Sequence, residues 1–406
     1  MTTVLVAADG HYYRDASGAV YVDSVFDYNF YRRYLVAFDM VYALGRMTSV
    51  DEAPAGKRRA DGPGVEFLDL EPGQGLKGYL RTGSENEKRV KGFVRKADCV
   101  IARIPGVVAN MAVSACRAVG KVYSAEVVVD PWEYFAPETR GGLVNGAVRR
   151  VWTSDLRRSC REAVGVSYVT EHYLQERYPC AAMEGSEGSF TSHYSSVELP
   201  DDSFAEPRCH VKKDTLTLAH AANSFSGNSK GHYTLFDALE ILVAQGYDVR
   251  AICVGDGPSL PDYRAYVEKA GLADRVEFTG RLSSGEEVRK RIAQADVFVF
   301  PTRAEGLPRV LLEAMAEGMP CLSTPVCGIP EILPEECLFA PDDAEGFARG
   351  VAGFAEEPQL MDRASERNLA VAREYSQSKL GERRKAFYKQ VAATAVPGVE
   401  RGVSHG

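Results

Sequence analysis

The chain lacks any apolar run near the ~20 residues that a membrane-spanning helix requires, so a spanning protein is not expected. It also lacks a basic excess. Its 48 Lys+Arg against 56 Asp+Glu leave a net charge of −8, which argues against bulk nucleic-acid binding. The nine cysteines form no Cys-x-x-Cys pair and have no histidine partners at zinc spacing. A disulfide framework and a structural zinc site are therefore not expected, and reduced thiols in a cytosolic protein are. There is no Gly-x-Ser-x-Gly, no Cys/His signature and no aspartate-rich metal motif. The segment Met1–Asp9 has no charged n-region and reads as a first strand, not a signal peptide.

What is present is ordinary globular composition, 45% hydrophobic over 406 residues, too long for one core. Short β-branched runs alternate with amphipathic stretches, the pattern of βα units over parallel sheets. In the first half, Thr3–Ala8, Cys99–Arg103, Ala125–Val129 and Val166–Thr170 read as strands. Tyr31–Leu44, Ala109–Val119 and Gly142–Ala163 read as helices, and Lys57–Gly92 as a long loop or insertion. The proline and aspartate cluster in Val197–Pro207 reads as a linker. Beyond it, Leu216–Ala221, Arg250–Val254, Arg275–Thr279, Val297–Phe300 and Pro320–Ser323 read as strands. Tyr233–Gln245, Asp262–Ala270, Gly285–Gln294 and Leu307–Glu317 read as the helices between and after them, with Leu360–Ala393 helical at the end. The expectation is an α/β chain with two Rossmann-like domains facing across a cleft, 1–200 and 208–375. A helix over 376–395 would cross back to the first. Ligands of such sheets bind at the carboxyl ends of the strands.

The segment Asp296-Val-Phe-Val-Phe-Pro-Thr-Arg-Ala-Glu305-Gly-Leu-Pro-Arg-Val-Leu-Leu-Glu313 carries the most chemical information. A buried strand ends at Pro301, and Pro308 stands where a helix begins, a position that tolerates proline. The backbone N–H groups of Gly306, Leu307, Arg309 and Val310 then lie near an anion-attracting helix start. Glu305 and Glu313 can face the same cleft, and acceptor-only groups beside a phosphate site suit a nucleotide sugar. The plainer alternative is that Glu305 caps the helix and Glu313 is solvated.

Glu305-Gly-Leu-Pro-Arg-Val-Leu-Leu-Glu313-Ala-Met-Ala-Glu-Gly-Met-Pro resembles the donor-site signature of the retaining glycosyltransferases of family 4, which have the GT-B fold. Lys230-Gly231, Val254-Gly255-Asp256-Gly257-Pro258, Phe278-Thr-Gly280-Arg281-Leu282 and Gly328-Ile-Pro-Glu331-Ile resemble the same family, in the same order. In the first half, Arg103-Ile-Pro105, Gly120-Lys121, Glu126-Val-Val-Val-Asp130-Pro-Trp132 and Tyr168-Val-Thr-Glu171 are similar to members that build bacterial surface polysaccharides.

The resemblance implies that Glu313 holds the nucleotide ribose, Glu305 the donor-sugar hydroxyls and Lys230 the diphosphate, against the alternative of an ordinary loop lysine. Family members often carry an arginine six residues before that lysine. Ser224 stands there, so that contact is either absent or supplied by another group such as Arg281 or Arg309. The backbone of Leu282 matches a base contact. Gly10 either lets the first loop approach the phosphates or is a simple turn glycine. Cys327-Gly328 replaces a frequent Gly-Gly pair. The donor would be a UDP- or GDP-sugar, with no cofactor and no metal. The acceptor would be a glycan or a polyprenyl-diphosphate-linked glycan, used in capsule, exopolysaccharide or O-antigen synthesis.

Arg103, Asp130 and Trp132 sit at expected strand ends where an acceptor would lie, although a strand-end Asp-Pro is more often a turn or cap. The segment 142–163 combines Val148, Val151, Trp152 and Leu156 with Arg149, Arg150, Arg157, Arg158 and Arg161. It is either a basic amphipathic helix on an anionic membrane, at the inner face of the plasma membrane, or a packed helix with a solvated arginine face. The histidines show no mutual spacing and are expected to be structural. Two rival readings stay open, a nucleotide-sugar 2-epimerase and a non-catalytic nucleotide-sugar-binding subunit.

Overall fold

The computed structural model describes residues 1–73, 75–136 and 145–395. The first sheet is built from β1 (Thr3–Arg14), β2 (Val20–Val22), β3 (Met40–Ser49), β4 (Arg58–Arg59) and β5 (Val65–Leu70). It continues with β6 (Cys99–Ile104), β7 (Ser124–Val127), β8 (Gly165–Tyr168) and β9 (Phe190–His193). Its parallel strands run in the order β5-β3-β1-β6-β7-β8-β9, and β2 with β4 extend the far half of β1 antiparallel. The helices of this half are α1 (Tyr28–Arg32), α2 (Gly75–Lys96), α3 (Val107–Val119), α4 (Pro131–Tyr134), α5 (Asn145–Glu162) and α6 (Tyr173–Arg177).

The second sheet holds β10 (Thr215–Ala221), β11 (Asp248–Val254), β12 (Val276–Gly280), β13 (Val297–Phe300) and β14 (Cys321–Ser323). All are parallel, in the order β12-β11-β10-β13-β14. Between and after them come α7 (His232–Ala244), α8 (Leu260–Lys269), α9 (Gly285–Ile292), α10 (Arg309–Ala316), α11 (Ala344–Glu356), α12 (Pro358–Arg373) and α13 (Gln377–Ala393). In each sheet the strand order reverses beside the first strand, at β1/β6 and at β10/β13. The carboxyl ends there open a crevice.

Four expectations are corrected. Tyr31–Leu44 is not one helix: α1 ends at Arg32, a tight turn spans Arg33–Val36, and β3 begins at Met40. Val41, Ala43 and Leu44 are buried in β3, where β-branched and aromatic side chains pack well on a pleated surface. Lys57–Gly92 is not a loop but β4, β5 and most of α2. Its charge hides a surface helix whose inner stripe includes Val90 and Val94. The first strand runs to Arg14, with a register shift between Ala7 and His11. The last helical stretch is two helices, α12 and α13, interrupted at Glu374–Ser376.

Helix α13 packs against β8 and β9 of the first sheet, burying Leu380, Phe387, Tyr388 and Val391. The Tyr388 ring stacks on Tyr34 with centroids 4.5 Å apart. The chain therefore passes twice between the halves. The two passages lie side by side, since Gln377 N donates to Leu199 O at 2.7 Å and Ser378 Oγ to Asp201 at 2.6 Å. Among the described residues no helix is long and apolar enough to cross a membrane, and all nine cysteines are free thiols.

Candidate active site

The crevice between β10 and β13 brings two loops together. Gly231 has φ 74°, and a Cβ there would lie 1.9 Å from the carbonyl oxygen of Pro301, so only glycine fits. Arg303 N donates to Ser229 O at 3.0 Å, fastening the loop after β10 to the loop after β13. The result is an ion pair across the crevice, Lys230 Nζ to Glu305 Oε1, each side chain 25% exposed. Lys230 precedes α7 and Glu305 precedes α10.

Pro308 is the residue before the first turn of α10 rather than part of it, and no side chain caps this helix start. Leu311 and Leu312 both donate to Pro308 O, so the N–H groups of Arg309 and Val310 have no acceptor within the helix. The carboxylate of Glu313, half-buried on α10, makes no hydrogen bond or ion pair among the described residues. Burial pushes its carboxyl above the usual range, against the pull of Arg309 and Arg289. A carboxylate held unpaired beside open amides is a ready acceptor for hydroxyls.

The two halves meet directly beneath this pair. Gly306 lies so close to β7 that a Cβ would stand 2.4 Å from Val128 O, and Gly328 would likewise press on Thr170. Glu331 reaches across and accepts the backbone N–H groups of Glu171, His172 and Tyr173 at 2.7, 3.1 and 2.6 Å. It thus satisfies the start of α6 from the opposite half of the chain. Cys327, which replaces a glycine in the resembling pattern, adopts φ 50°, and burial pushes its thiol up to about 12.

Of the remaining expected donor contacts, Arg281 is exposed at the end of β12 and Leu282 is half-buried beside it. Gly10 is buried inside β1, and a Cβ would lie 2.4 Å from Tyr12 Oη, so its small size makes room for that ring.

On the acceptor side the three expected residues separate. Asp130 is fully buried and caps α4, accepting from Trp132 N at 2.8 Å, from Tyr173 Oη at 2.9 Å and from Tyr178 Oη. It also pairs with Arg177 at 2.9 Å, so its carboxylate is committed to the fold. Trp132 carries the guanidinium of Arg149 over its ring at 3.8 Å. Arg103 turns inward to Glu126 on β7.

Glu126 is the centre of a cluster that the sequence did not single out as a site. Its Oε1 accepts from Tyr194 Oη at 2.9 Å and Tyr388 Oη at 3.0 Å, and its Oε2 accepts from Tyr34 Oη at 3.0 Å and from Arg103. Burial alone would raise its pKa. The charges of Arg103 and Arg33 and these hydrogen bonds reverse that and hold the carboxyl at about 2. A glutamate inside an apolar strand was the one available signal, because such a charge is rarely buried without partners.

His220 and His232 lie under the Lys230 loop with ring centroids 4.4 Å apart. Burial lowers His220 to about 4 and His232 further still, so both are neutral packing residues, as expected of the histidines.

The comparisons with known proteins agree on one class. Residues 216–357 match the family model described as group 1 glycosyl transferases. CapJ of Staphylococcus aureus is 24% identical over 319 residues, which is 78% of each chain. WcaL of Salmonella typhimurium, named as a proposed colanic acid biosynthesis glycosyltransferase, is 31% identical over 272 residues, 61% of this chain and 66% of that one. The fold matches HepE of Anabaena, solved with UDP and glucose, at a TM-score of 0.61 and 17% identity, over 94% of this chain and 98% of that one. Residues 216–357 are thus a group 1 glycosyltransferase region, and the fold of the chain is that of the GT-B glycosyltransferases.

Proposed function

We propose that the chain is a retaining glycosyltransferase. It moves a sugar from a UDP- or GDP-sugar to a hydroxyl of a glycan, free or polyprenyl-diphosphate-linked, in bacterial capsule, exopolysaccharide or O-antigen synthesis. The observation that carries this reading is the Lys230–Glu305 pair across the crevice, at the uncapped start of α10. In the free chain each group is the other's counter-ion. A bound donor replaces both halves of the pair: the diphosphate takes Lys230, and the sugar hydroxyls take Glu305. Glu313 then receives the ribose.

In the reaction the acceptor oxygen bonds to the anomeric carbon from the face that the diphosphate leaves. The bond from that carbon to the phosphate oxygen breaks, and the acceptor proton passes to the leaving oxygen. The chain's contribution is charge stabilisation by Lys230 and the amides of Arg309 and Val310, with donor and acceptor held together. No step calls for a divalent metal.

The test is thermal stabilisation of the chain by nucleotides and nucleotide sugars in EDTA, followed by turnover. A shift with UDP or GDP compounds that is lost in Glu313→Ala supports the donor site and identifies the base. No shift with any nucleotide overturns it. Release of free sugar and nucleotide without an acceptor would point to the epimerase chemistry instead.

Membrane contact through α5 is part of the same reading. Val151 is 64% exposed on that helix, and Arg150 and Arg157 are exposed around it. Trp152 packs edge-on to Phe135, and Arg158 and Arg161 pair with Glu162 and Glu184. Residues 142–144 of the expected segment lie outside the described residues. Co-sedimentation with phosphatidylglycerol vesicles, reduced in Arg150→Glu, tests it.

A further inference from the structure

The Glu126 cluster has more positive charge than its own carboxylate can meet. Arg33, Arg103 and Arg384 converge on it, and the charge of Glu126 acts on all three. Both of its oxygens are already filled, by three tyrosine hydroxyls and Arg103. No lone pair of Glu126 is left for Arg33 or Arg384. Arg384 instead donates to the carbonyl of Ser195 at 3.2 Å, and Arg33 lies over the ring of Phe30 at 3.8 Å. The Nε atoms of both are buried without a hydrogen-bond partner. Three guanidiniums share the single negative charge of Glu126, so a net positive charge remains in a half-buried site, which desolvation opposes unless a further anion joins it.

The position of this charge is informative. A small cavity, open on one side, is lined by Arg33, Arg103, Glu126, Val169 and Ser195. It lies at the carboxyl ends of β6, β7 and β8, the end at which ligands of parallel sheets bind. Its wall is shared with the donor side, because Val169 Cγ2 packs against Gly306, the residue after Glu305.

We propose that this cavity is the acceptor subsite for an anionic group, a phosphate or a carboxylate, gripped by Arg33 and Arg103 of its lining and by Arg384, which reaches it beside Ser195. The proposal rests on the acceptor reading above and adds the acceptor's charge and the residues that read it. Guanidiniums suit either group, since their paired N–H donors match the oxygens of both. The acceptor hydroxyl would then be presented toward the Lys230–Glu305 crevice while its anion stays in the first half of the chain.

The test uses the full chain, with its donor side saturated by UDP, titrated calorimetrically with inorganic pyrophosphate and separately with D-glucuronate. Binding of pyrophosphate alone identifies a phosphate-linked acceptor, and binding of glucuronate alone identifies a uronic-acid glycan. In either case affinity should fall at least tenfold in Arg33→Gln and in Arg384→Gln, with UDP affinity changed less than twofold. If Arg33→Gln does not fold, Arg384→Gln decides alone. Absence of binding by both anions at millimolar concentration, or unchanged binding in Arg384→Gln, overturns the subsite. Failure of UDP and GDP to bind overturns the donor reading instead, and the anion titrations are then read without nucleotide.

Discussion

Glu305 and Glu126 both face basic side chains, and they are built for opposite purposes. Glu305 meets a single lysine at the rim of a crevice, with both partners a quarter exposed. Glu126 is buried beneath three tyrosine hydroxyls and a guanidinium. A half-open pair of the first kind is worth ~0–1 kcal/mol, so it parts readily when a ligand offers replacements. A buried, fully satisfied carboxylate cannot part without stranding charge in the interior. The Lys230–Glu305 crevice is thus exchangeable, and the Glu126 cluster is a fixed frame with excess positive charge at its edge.

The largest expected effect falls on the frame. Glu126→Ala leaves three guanidiniums without their carboxylate and should lose about 3–5 kcal/mol of stability in denaturant unfolding. Lys230→Ala should leave stability within about 1 kcal/mol. A comparable loss in both would erase the contrast between them. In turnover the order reverses. Lys230→Ala and Glu305→Gln should each lower kcat by about 10²–10³, as expected when a group facing transition-state charge is removed.

Acid separates the two regions as well. Glu126, held at about 2, stays ionised through the mildly acidic range. His220, lowered from 6.5 to about 4, and His232, lowered further, stay neutral in the fold while their unfolded counterparts take up protons. The unfolded state then binds more protons, so stability falls as pH drops from 6.5 toward 4. His232 has neither ring nitrogen hydrogen-bonded and is stacked on Tyr263 with centroids 4.4 Å apart. His232→Phe should keep that packing and flatten part of the acid loss in thermal melts recorded from pH 7 to 4.5. An unchanged slope would place the sensitivity elsewhere.

Two smaller effects sharpen the donor side. The raised carboxyl of Glu313 means that its charge opposes folding at neutral pH. Glu313→Gln should raise the unliganded melting temperature slightly and reduce the nucleotide-induced shift. Glu331→Gln should cost about 1 kcal/mol of local stability and speed hydrogen exchange at Glu171, His172 and Tyr173 while the core strands stay protected.

Legibility followed the range of the interactions. The strand Val297–Phe300 and its neighbours were read correctly because buried parallel strands appear as short apolar runs between breaks. The Glu305 and Glu313 motif was readable for a similar reason, since its members sit on one loop and one helix. Helix α2 was missed because its buried stripe is narrow against a highly charged surface. Tyr31–Leu44 failed because an apolar run carries helix and strand signals alike. The Glu126 cluster draws on residues 33, 34, 103, 126, 194, 384 and 388, which no local pattern joins. Arg103 was picked for its strand-end position, but nothing near it announced Arg384, which arrives only because α13 returns to the first sheet.

That return has a mechanical consequence. A GT-B chain joined by one strand of linker could swing and twist freely about it. Here the two passages are bonded to each other, Leu199 to Gln377 and Asp201 to Ser378. Two neighbouring tethers define an axle, so the halves can fold and unfold about one line, as a book does about its spine. Glu331 and its three amides lie close to that spine, near enough for Glu331 and Glu171 to act on Tyr375 at the junction of α12 and α13, so a rotation would move this contact little.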